Sequence, residues 1–180
     1  MKILDATAGQ RGIWYQKEHP FVVFLDQRCG KYSSKTDNCR LKNERIYDIY
    51  PTVVSEWQHL PFPDNCFDMI VFDPPHIFKN KGQKLPGMSA EYGVFYRDNW
   101  RKIVSDGTTE LFRCLKTDGF FILKWCEIEK DVDEVLTLIP YKPLFGTRTG
   151  QSNKTHWICF LKHKPPFERT LEDFTFMKDA

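Results

Sequence analysis

The sequence predicts an α/β fold with a mostly parallel sheet. Short apolar runs of the kind that form buried strands alternate with segments of helical periodicity along the chain. Three of these runs lead into an aspartate, at Asp5, Asp26 and Asp73. Ligands of α/β proteins bind at the carboxyl ends of the parallel strands, so we expect these three carboxylates to belong to one site.

The first elements are a strand over residues 2–5 and a turn of small residues over 6–12. A brief helix is predicted over 13–18, because His19-Pro20 would end it. The apolar run over 21–25 then predicts a buried second strand.

The middle of the chain begins with residues 29–51, a long polar excursion without clear periodicity in the place of the second crossover. A third strand is predicted over 52–54, a proline-rich turn over 60–65 and a fourth strand over 68–72. Residues 77–93, which contain three glycines and three lysines, predict a loop after that strand.

The last part of the chain predicts two more helices and a terminal hairpin. Its elements, in order, are a helix over 96–115 that Asp106-Gly107 could bend, a strand over 120–123 that ends at Lys124, a helix over 132–139, and a hairpin formed by 144–146 and 157–161.

Composition sets several limits on function. The length of 180 residues predicts one domain over 1–180 with no separate target-recognition domain. The net charge of +2 is too small to indicate nucleic acid by itself. The six cysteines form no Cys-x-x-Cys pair and have no close His at zinc-ligand spacing, so we expect reduced thiols, no metal site and a cytoplasmic protein. No apolar run is long enough to span a membrane.

The most informative motif is Asp73-Pro74-Pro75-His76, which follows the fourth strand directly. A proline fixes its own φ, lacks a donor and pushes the residue before it toward extended geometry. The carboxylate of Asp73 and nearby carbonyl oxygens would therefore form a stiff cluster of acceptors, suited to the two hydrogens of an amino group. The motif alone is equally compatible with a proline-rich turn that carries a solvated aspartate.

The turn after the first strand and the acid after the second describe an adenosine pocket. A glycine at Gly9 lets a ligand approach the backbone, and Asp26, about 20 residues further on, is suited to ribose hydroxyls. The turn lacks Gly-x-Gly-x-x-Gly, and Asp5 would repel a pyrophosphate. A cofactor with a positive centre is therefore favoured over a dinucleotide, although similar turns occur in α/β proteins without a ligand.

These residues resemble the class I S-adenosylmethionine-dependent methyltransferases. The resemblance is carried by Asp5-Ala-Thr-Ala-Gly9, by Asp26, and by Leu60-Pro-Phe-Pro-Asp-Asn-Cys-Phe-Asp68 running into Phe72-Asp-Pro-Pro-His76. It covers most of residues 1–125 and, more loosely, the final hairpin. The last motif resembles that of enzymes that methylate exocyclic amino groups of nucleic-acid bases.

The resemblance implies a Rossmann-like, mostly parallel seven-stranded sheet with an antiparallel last strand, and S-adenosylmethionine as cofactor. The implied cofactor contacts are Asp5, Thr7, Ala8, Gly9 and Asp73, with a ribose contact at Asp26, an adenine contact at Glu56 and Trp57 beside it to cover the adenine ring. The sequence departs from the family pattern in two places. Arg11 precedes Gly12 where a tighter Gly-x-Gly is usual, and His76 replaces Tyr, Phe or Trp.

The predicted reaction is methyl transfer to an exocyclic amino group of adenine or cytosine in DNA, or of a base in RNA. Because its lone pair is delocalised into the ring, such a nitrogen must be held and aligned by the catalyst. Asp73 and the Pro74 carbonyl are suited to hold it, in the stiff turn that Pro75 completes, and alignment alone contributes roughly 7–11 kcal/mol at best. The base must be flipped out or single-stranded, with His76 as a flat face to stack on.

Two alternatives stay open. Lys124 resembles the lysine of RNA ribose 2′-hydroxyl methyltransferases, and the chain could instead be a non-catalytic methyltransferase-like binding subunit. The preserved Asp73 argues against the second. Basic residues that could contact phosphates are Lys79, Lys81, Lys84, Arg97, Arg101, Lys102, Arg148 and Lys154. With no recognition domain, we expect loose sequence selectivity, a specificity-conferring protein partner or a homodimer.

Overall fold

The computed structural model describes residues 1–35, 44–85, 87–147 and 154–163. Arg148, which the sequence analysis placed among the phosphate-contacting residues, lies outside them. The elements in chain order are β1 (Ile3–Asp5), β2 (Val22–Asp26), β3 (Gly30–Lys35), β4 (Glu44–Ile49), β5 (Val53–Val54), β6 (Phe67–Phe72), β7 (Phe78–Lys79), α1 (Met88–Tyr92), β8 (Phe95–Tyr96), α2 (Trp100–Cys114), β9 (Leu115–Cys126), α3 (Val132–Leu136), β10 (Phe145–Thr147) and β11 (Thr155–Leu161).

Seven of the strands form the central sheet, in the order β10-β11-β9-β6-β1-β2-β5. Five neighbouring strands pair in parallel, in the order β5, β2, β1, β6 and β9. Strand β11 runs antiparallel to both of its neighbours, β9 and β10. This arrangement confirms the predicted fold class, a Rossmann-like methyltransferase fold with a mostly parallel seven-stranded sheet and an antiparallel last strand. The chain leaves β1 toward β2 on one side and returns to β6 on the other, so the switch point for ligand binding lies at the carboxyl end of β1.

The helix predicted over residues 13–18 is not formed; this segment is a series of turns. Arg11 has a φ of 56°, and its guanidinium lies over the ring of Phe24, 4.1 Å from the ring centroid. Trp14 packs edge-on against the same ring and donates to Asp5. A six-residue helix has little intrinsic stability, and these contacts to the sheet determine the path of the chain instead.

The excursion predicted over residues 29–51 contains a separate antiparallel hairpin, formed by β3 and β4. The rings of Tyr32 and Tyr47 stack across it, with centroids 5.8 Å apart. Tyr47 also donates to the carbonyl of Ala90 at 3.1 Å. The hairpin therefore packs against α1, and it occupies the place of the second crossover.

The loop predicted over residues 77–93 contains ordered structure. Strand β7 pairs with β8 in a small parallel ladder, and α1 lies between them. Gly87 and Gly93 flank α1 with φ values of 53° and 82°, a region that glycine adopts without strain. We call residues 87–96 the cap segment, because they form one wall of the cavity described below.

Helix α2 begins at Trp100, later than predicted, and runs through Asp106-Gly107 without a break. Its buried side packs on β9 and contributes to the larger of two apolar clusters. The smaller cluster covers the opposite face of the sheet and includes Val71 and Ile122. No helix in the described part of the chain is both long and apolar enough to cross a membrane.

Candidate active site

A cavity of about 750 Å³ opens at the carboxyl ends of β1, β2, β6 and β9. This volume is within the usual range for a small-molecule or cofactor site. Many of its lining residues were singled out from the sequence: Asp5, Thr7, Ala8, Gly9, Asp26, Trp57, Asp73, Pro74, Pro75, His76 and Lys124. The structure therefore brings three features into one cavity: the turn over residues 6–12, which we call the glycine turn, the carboxylate of Asp26, and the Asp73-Pro74-Pro75-His76 turn.

The glycine turn is anchored to the second strand by its backbone. Gly9 has a φ of 48°, and its N–H donates to Oδ2 of Asp26 at 3.0 Å. The N–H of Ala8 donates to the carbonyl of Leu25 at 2.9 Å. A left-handed φ is strained for residues with a side chain, so glycine at position 9 is what allows this path.

Asp5 is a buried carboxyl, with 1% of its surface exposed. It accepts hydrogen bonds from the N–H of Thr7 at 3.1 Å and from Nε1 of Trp14 at 2.6 Å. Burial raises the pKa of Asp5 to about 6, although both hydrogen bonds oppose the rise. Asp5 therefore changes charge in a pH range where most aspartates are fully ionised.

Asp26 is already bound by the protein. Besides Gly9, it accepts from the guanidinium of Arg28 at both oxygens, at 3.0 Å and 3.1 Å. Arg28 also donates to the carbonyl of Glu91 at 2.7 Å. A ribose hydroxyl at this acid would therefore share it with Arg28 or displace that side chain, and nothing in the sequence predicted this pairing.

Asp73 forms an ion pair with Lys124, with Oδ2 and Nζ 2.7 Å apart. Its backbone N–H donates to Oγ1 of Thr7 at 2.8 Å, which joins the turn after β1 to the turn after β6. Burial raises the pKa of Asp73 above its usual value, and the Lys124 ammonium opposes that rise. No described residue donates to Oδ1 of Asp73, so this oxygen is free to accept a hydrogen bond from a ligand.

His76 also lines the cavity and is about half buried. Burial lowers the pKa of His76 below its usual value, with the nearby Asp73 carboxylate opposing the change. The imidazole is therefore neutral at neutral pH, and it offers a flat face with little charge. Gly93 lies behind this turn, where a Cβ would come 3.4 Å from Pro75 Cγ.

The two residues predicted at the adenine differ in position. Trp57 lines the cavity and packs against Phe72, with ring centroids 4.8 Å apart. The side chain of Glu56 is 58% exposed, lies 3.8 Å from His59 and does not line the cavity, whereas its neighbour Gln58 does.

The cap segment supplies residues that the sequence analysis missed. Ser89, Ala90 and Tyr92 line the cavity. The nearly buried carboxylate of Glu91 holds the segment in place, through Gln10 of the glycine turn and through Arg45 of the hairpin at 3.1 Å. Gly87 and Gly93, which flank α1, are the signal in the sequence that could have indicated ordered turns here.

Four of the seven predicted phosphate contacts that the structure describes are paired with acids. Lys81 lies 2.9 Å from Asp98, and Lys102 lies 2.5 Å from Asp106. Arg97 and Arg101 pair in the same way with Glu129 and Glu134. Lys79, Lys84 and Lys154 form no ion pair with the described residues. The basic surface around the cavity is thus smaller than the count of basic residues suggests.

Among solved structures, the chain is similar to PH0226 protein from Pyrococcus horikoshii OT3, with 14% identity, a TM-score of 0.56 and coverage of 89% of this chain and 81% of that one. It is also similar to the Burkholderia thailandensis 1,6-didemethyltoxoflavin-N1-methyltransferase with bound S-adenosylhomocysteine, with 12% identity, a TM-score of 0.49 and coverage of 90% and 71%. At these identities the similarity to PH0226 protein establishes the fold.

A third similar structure is the T. thermophilus 16S rRNA N2 G1207 methyltransferase with AdoMet and guanosine, with 13% identity, a TM-score of 0.47 and coverage of 93% of this chain and 37% of that one. That complex contains AdoMet, and S-adenosylhomocysteine, the demethylated form of AdoMet, is bound in the B. thailandensis enzyme. No protein-family model and no curated protein sequence matches the chain.

Proposed function

We propose that this protein is an S-adenosylmethionine-dependent methyltransferase that modifies an exocyclic amino group of a nucleic-acid base, adenine or cytosine in DNA or a base in RNA. One observation carries the proposal. A single cavity contains the glycine turn, the strand-end acids Asp5 and Asp26, and the Asp73-Pro74-Pro75-His76 turn. A cofactor bound at the glycine turn, Asp5 and Asp26 would therefore meet an acceptor bound at the Asp73 turn inside the same cavity.

The residues present fit the proposed cofactor. Asp5 and Asp73 supply carboxylates that suit a molecule with a sulfonium and an ammonium group, and Asp26 would accept from a ribose hydroxyl beside Arg28. Gly9 permits close approach of the ligand to the backbone, and Trp57 is positioned to cover a flat ring. When bound, the cofactor supplies an electrophilic methyl group.

Asp73 would hold the acceptor nitrogen. Its Oδ1 would accept one amino hydrogen, while Lys124 holds Oδ2 and fixes the orientation of the carboxylate. The carboxylate of Asp73 would stabilise the positive charge that the acceptor nitrogen gains when it takes up the methyl group that the cofactor would supply. The amino proton then leaves to Asp73 or to water. Neutral His76 would stack on the base and exclude water from one side.

One observation favours a second candidate, methylation of a ribose 2′-hydroxyl. Lys124 lines the same cavity and contacts Asp73 at 2.7 Å, so a hydroxyl at this position would meet an ammonium group that Asp73 orients. In this alternative Lys124 acts on the acceptor oxygen, and the two prolines have no role. The product identifies which of the two reactions takes place.

The chain offers a matched control for the test. Strands β6 and β9 carry a second aspartate–lysine pair, Asp68 with Lys116 at 2.8 Å, at the end of the sheet opposite to the cavity. Asp68→Asn therefore removes the same kind of ion pair from the same two strands, without touching the cavity. Lys116 lowers the pKa of Asp68, whereas burial raises the pKa of Asp73, so the stability of each variant is measured beside its activity.

The experiment measures transfer of labelled methyl to single-stranded DNA and RNA, followed by mass spectrometry of the nucleosides. We expect base N-methylation that Asp73→Asn reduces about a hundredfold or more and Asp68→Asn preserves. Ribose 2′-O-methyl nucleosides that depend on Lys124 would favour the second candidate. Cofactor binding by calorimetry without any transfer would favour a non-catalytic subunit, and transfer that needs a second protein would identify a specificity-conferring partner.

A further inference from the structure

Trp157 is an exposed aromatic residue at the edge of the sheet that carries the cavity. Its surface is 39% exposed, although its neighbours His156 and Ile158 are buried. Its backbone N–H donates to Thr147 on β10 at 3.4 Å, but its indole N–H donates to no described residue. A large ring with a free donor at this edge is available to a ligand.

The position of Trp157 relates it directly to the proposed acceptor. In the β9–β11 ladder, Trp157 lies opposite Lys124, so the two side chains lie on the same face of the sheet. Nζ of Lys124 is 6.0 Å from the centroid of the Trp157 ring and 2.7 Å from Asp73. Trp157 does not line the cavity. It lies next to Lys124, on the side away from Asp73.

We propose that Trp157 is a stacking platform for the nucleotide next to the acceptor nucleotide, and that the substrate is therefore a single-stranded nucleic acid of at least two nucleotides. This inference rests on the proposed function. An aromatic face stacks with any base, so this contact does not depend on the nucleotide sequence. Among the described residues, four of the basic side chains predicted to contact phosphates are paired with acids, which makes stacking more important to affinity.

Phe120 is a matched control for Trp157. It is 42% exposed, belongs to β9 and lies on the same face as Lys124, four residues before it near the middle of the strand. If any exposed aromatic side chain on this face of the sheet contributes equally to nucleic-acid binding, then Phe120→Ala and Trp157→Ala should weaken binding to the same extent.

The test is binding of fluorescein-labelled single-stranded DNA and RNA oligonucleotides in the presence of S-adenosylhomocysteine, followed by fluorescence anisotropy. We expect Trp157→Ala to weaken binding about tenfold or more, Trp157→Phe to lose less, and Phe120→Ala to match the wild type. The DNA and RNA probes distinguish the two sources of a single strand. In transfer assays, Trp157→Ala should lose more activity on an oligonucleotide than on the isolated nucleoside.

The outcomes separate this inference from the proposed function. Equal oligonucleotide affinity in wild type and Trp157→Ala, equal weakening by Phe120→Ala, or no binding to any probe would overturn the stacking role. Equal losses on oligonucleotide and nucleoside would also overturn it, because Trp157 would then act within the cavity. Binding that depends on Trp157 without methyl transfer would support stacking and reject the proposed reaction.

Discussion

Gly107, in the middle of α2, lies against the indole ring of Trp57. A Cβ at residue 107 would come within 1.9 Å of Cζ3 of Trp57. The indole in turn packs on Phe72 and lines the cavity. The missing side chain therefore lets α2 approach closely enough to support one wall of the proposed cofactor site.

Gly107→Ala should destabilise the protein and weaken cofactor binding. In an unhindered helix, alanine would stabilise by about 1 kcal/mol relative to glycine, whereas overpacking a tight contact costs roughly 1–3 kcal/mol. We expect the second effect to dominate, because the clash is with a ring held by other aromatic residues. Denaturant unfolding and calorimetry with S-adenosylmethionine measure the two effects.

The control for Gly107→Ala is the same substitution in a Trp57→Ala background. There the methyl group has space, so the substitution should be neutral or stabilising. A similar loss of stability in both backgrounds would show that the contact with Trp57 is not the cause.

Asp5 predicts a dependence of stability on pH. Burial raises the pKa of Asp5 from 3.8 to about 6, so the folded protein binds its proton more tightly than the unfolded chain. The stability from this group is fully present below about pH 4 and is lost as pH rises through about 6. The shift corresponds to about 3 kcal/mol. Asp5→Asn should remove this slope from unfolding curves measured across the range.

Cofactor affinity should respond to Asp5 in the opposite direction. The ionised carboxylate attracts a sulfonium, so binding of S-adenosylmethionine should strengthen as pH rises through about 6. S-adenosylhomocysteine lacks the sulfonium and is the control ligand. The effect does not come from the charge of Asp5 if the affinities of both ligands change with pH in the same way. The same conclusion follows if the pH dependence of S-adenosylmethionine binding is unchanged in Asp5→Asn.

The parts of the site that could be predicted from the sequence are those carried by local pattern. Buried strands are short apolar runs, and the residue that follows each run lies at the carboxyl edge of the sheet, which located Asp5, Asp26 and Asp73. Pro74 and Pro75 also act locally, because each proline restricts its own backbone and that of the residue before it. These signals depend on neighbouring residues alone.

The parts that could not be predicted depend on contacts between distant segments. The contact of Trp57 with Gly107 spans 50 positions, so Asp106-Gly107 resembled a helix break. Arg28 pairs with Asp26 and with the backbone of Glu91, and no periodicity indicates such a contact. The helix expected over 13–18 was wrong for the same reason, since contacts with the sheet override weak local propensity.

His76 should act as a flat neutral surface. Burial lowers its pKa, so the imidazole carries no charge at neutral pH. His76→Phe should therefore retain most of the methyl-transfer activity, whereas His76→Ala should lose roughly tenfold as a stacking surface disappears. Steady-state kinetics on a single-stranded substrate check both variants. A large loss in His76→Phe with a changed pH profile would instead indicate that the imidazole transfers a proton.

Binding of single-stranded nucleic acid should depend only weakly on salt. For single strands, the slope of log K against log salt is about −0.7 for each phosphate contacted. Eight free basic side chains would give a slope of about −6, and the three that have no acidic partner among the described residues would give about −2. Because Lys81, Arg97, Arg101 and Lys102 already pair with acids, we expect the smaller value.

Anisotropy titrations at several KCl concentrations measure this slope, and two variants locate its origin. Lys84→Ala should make the slope shallower by about 0.7, because no described acid pairs with this lysine. Lys81→Ala should change it little, since its partner Asp98 already neutralises the charge. A wild-type slope near −6 would mean that these ion pairs open on binding, and the cavity would then be surrounded by a much stronger positive field than the unbound protein presents.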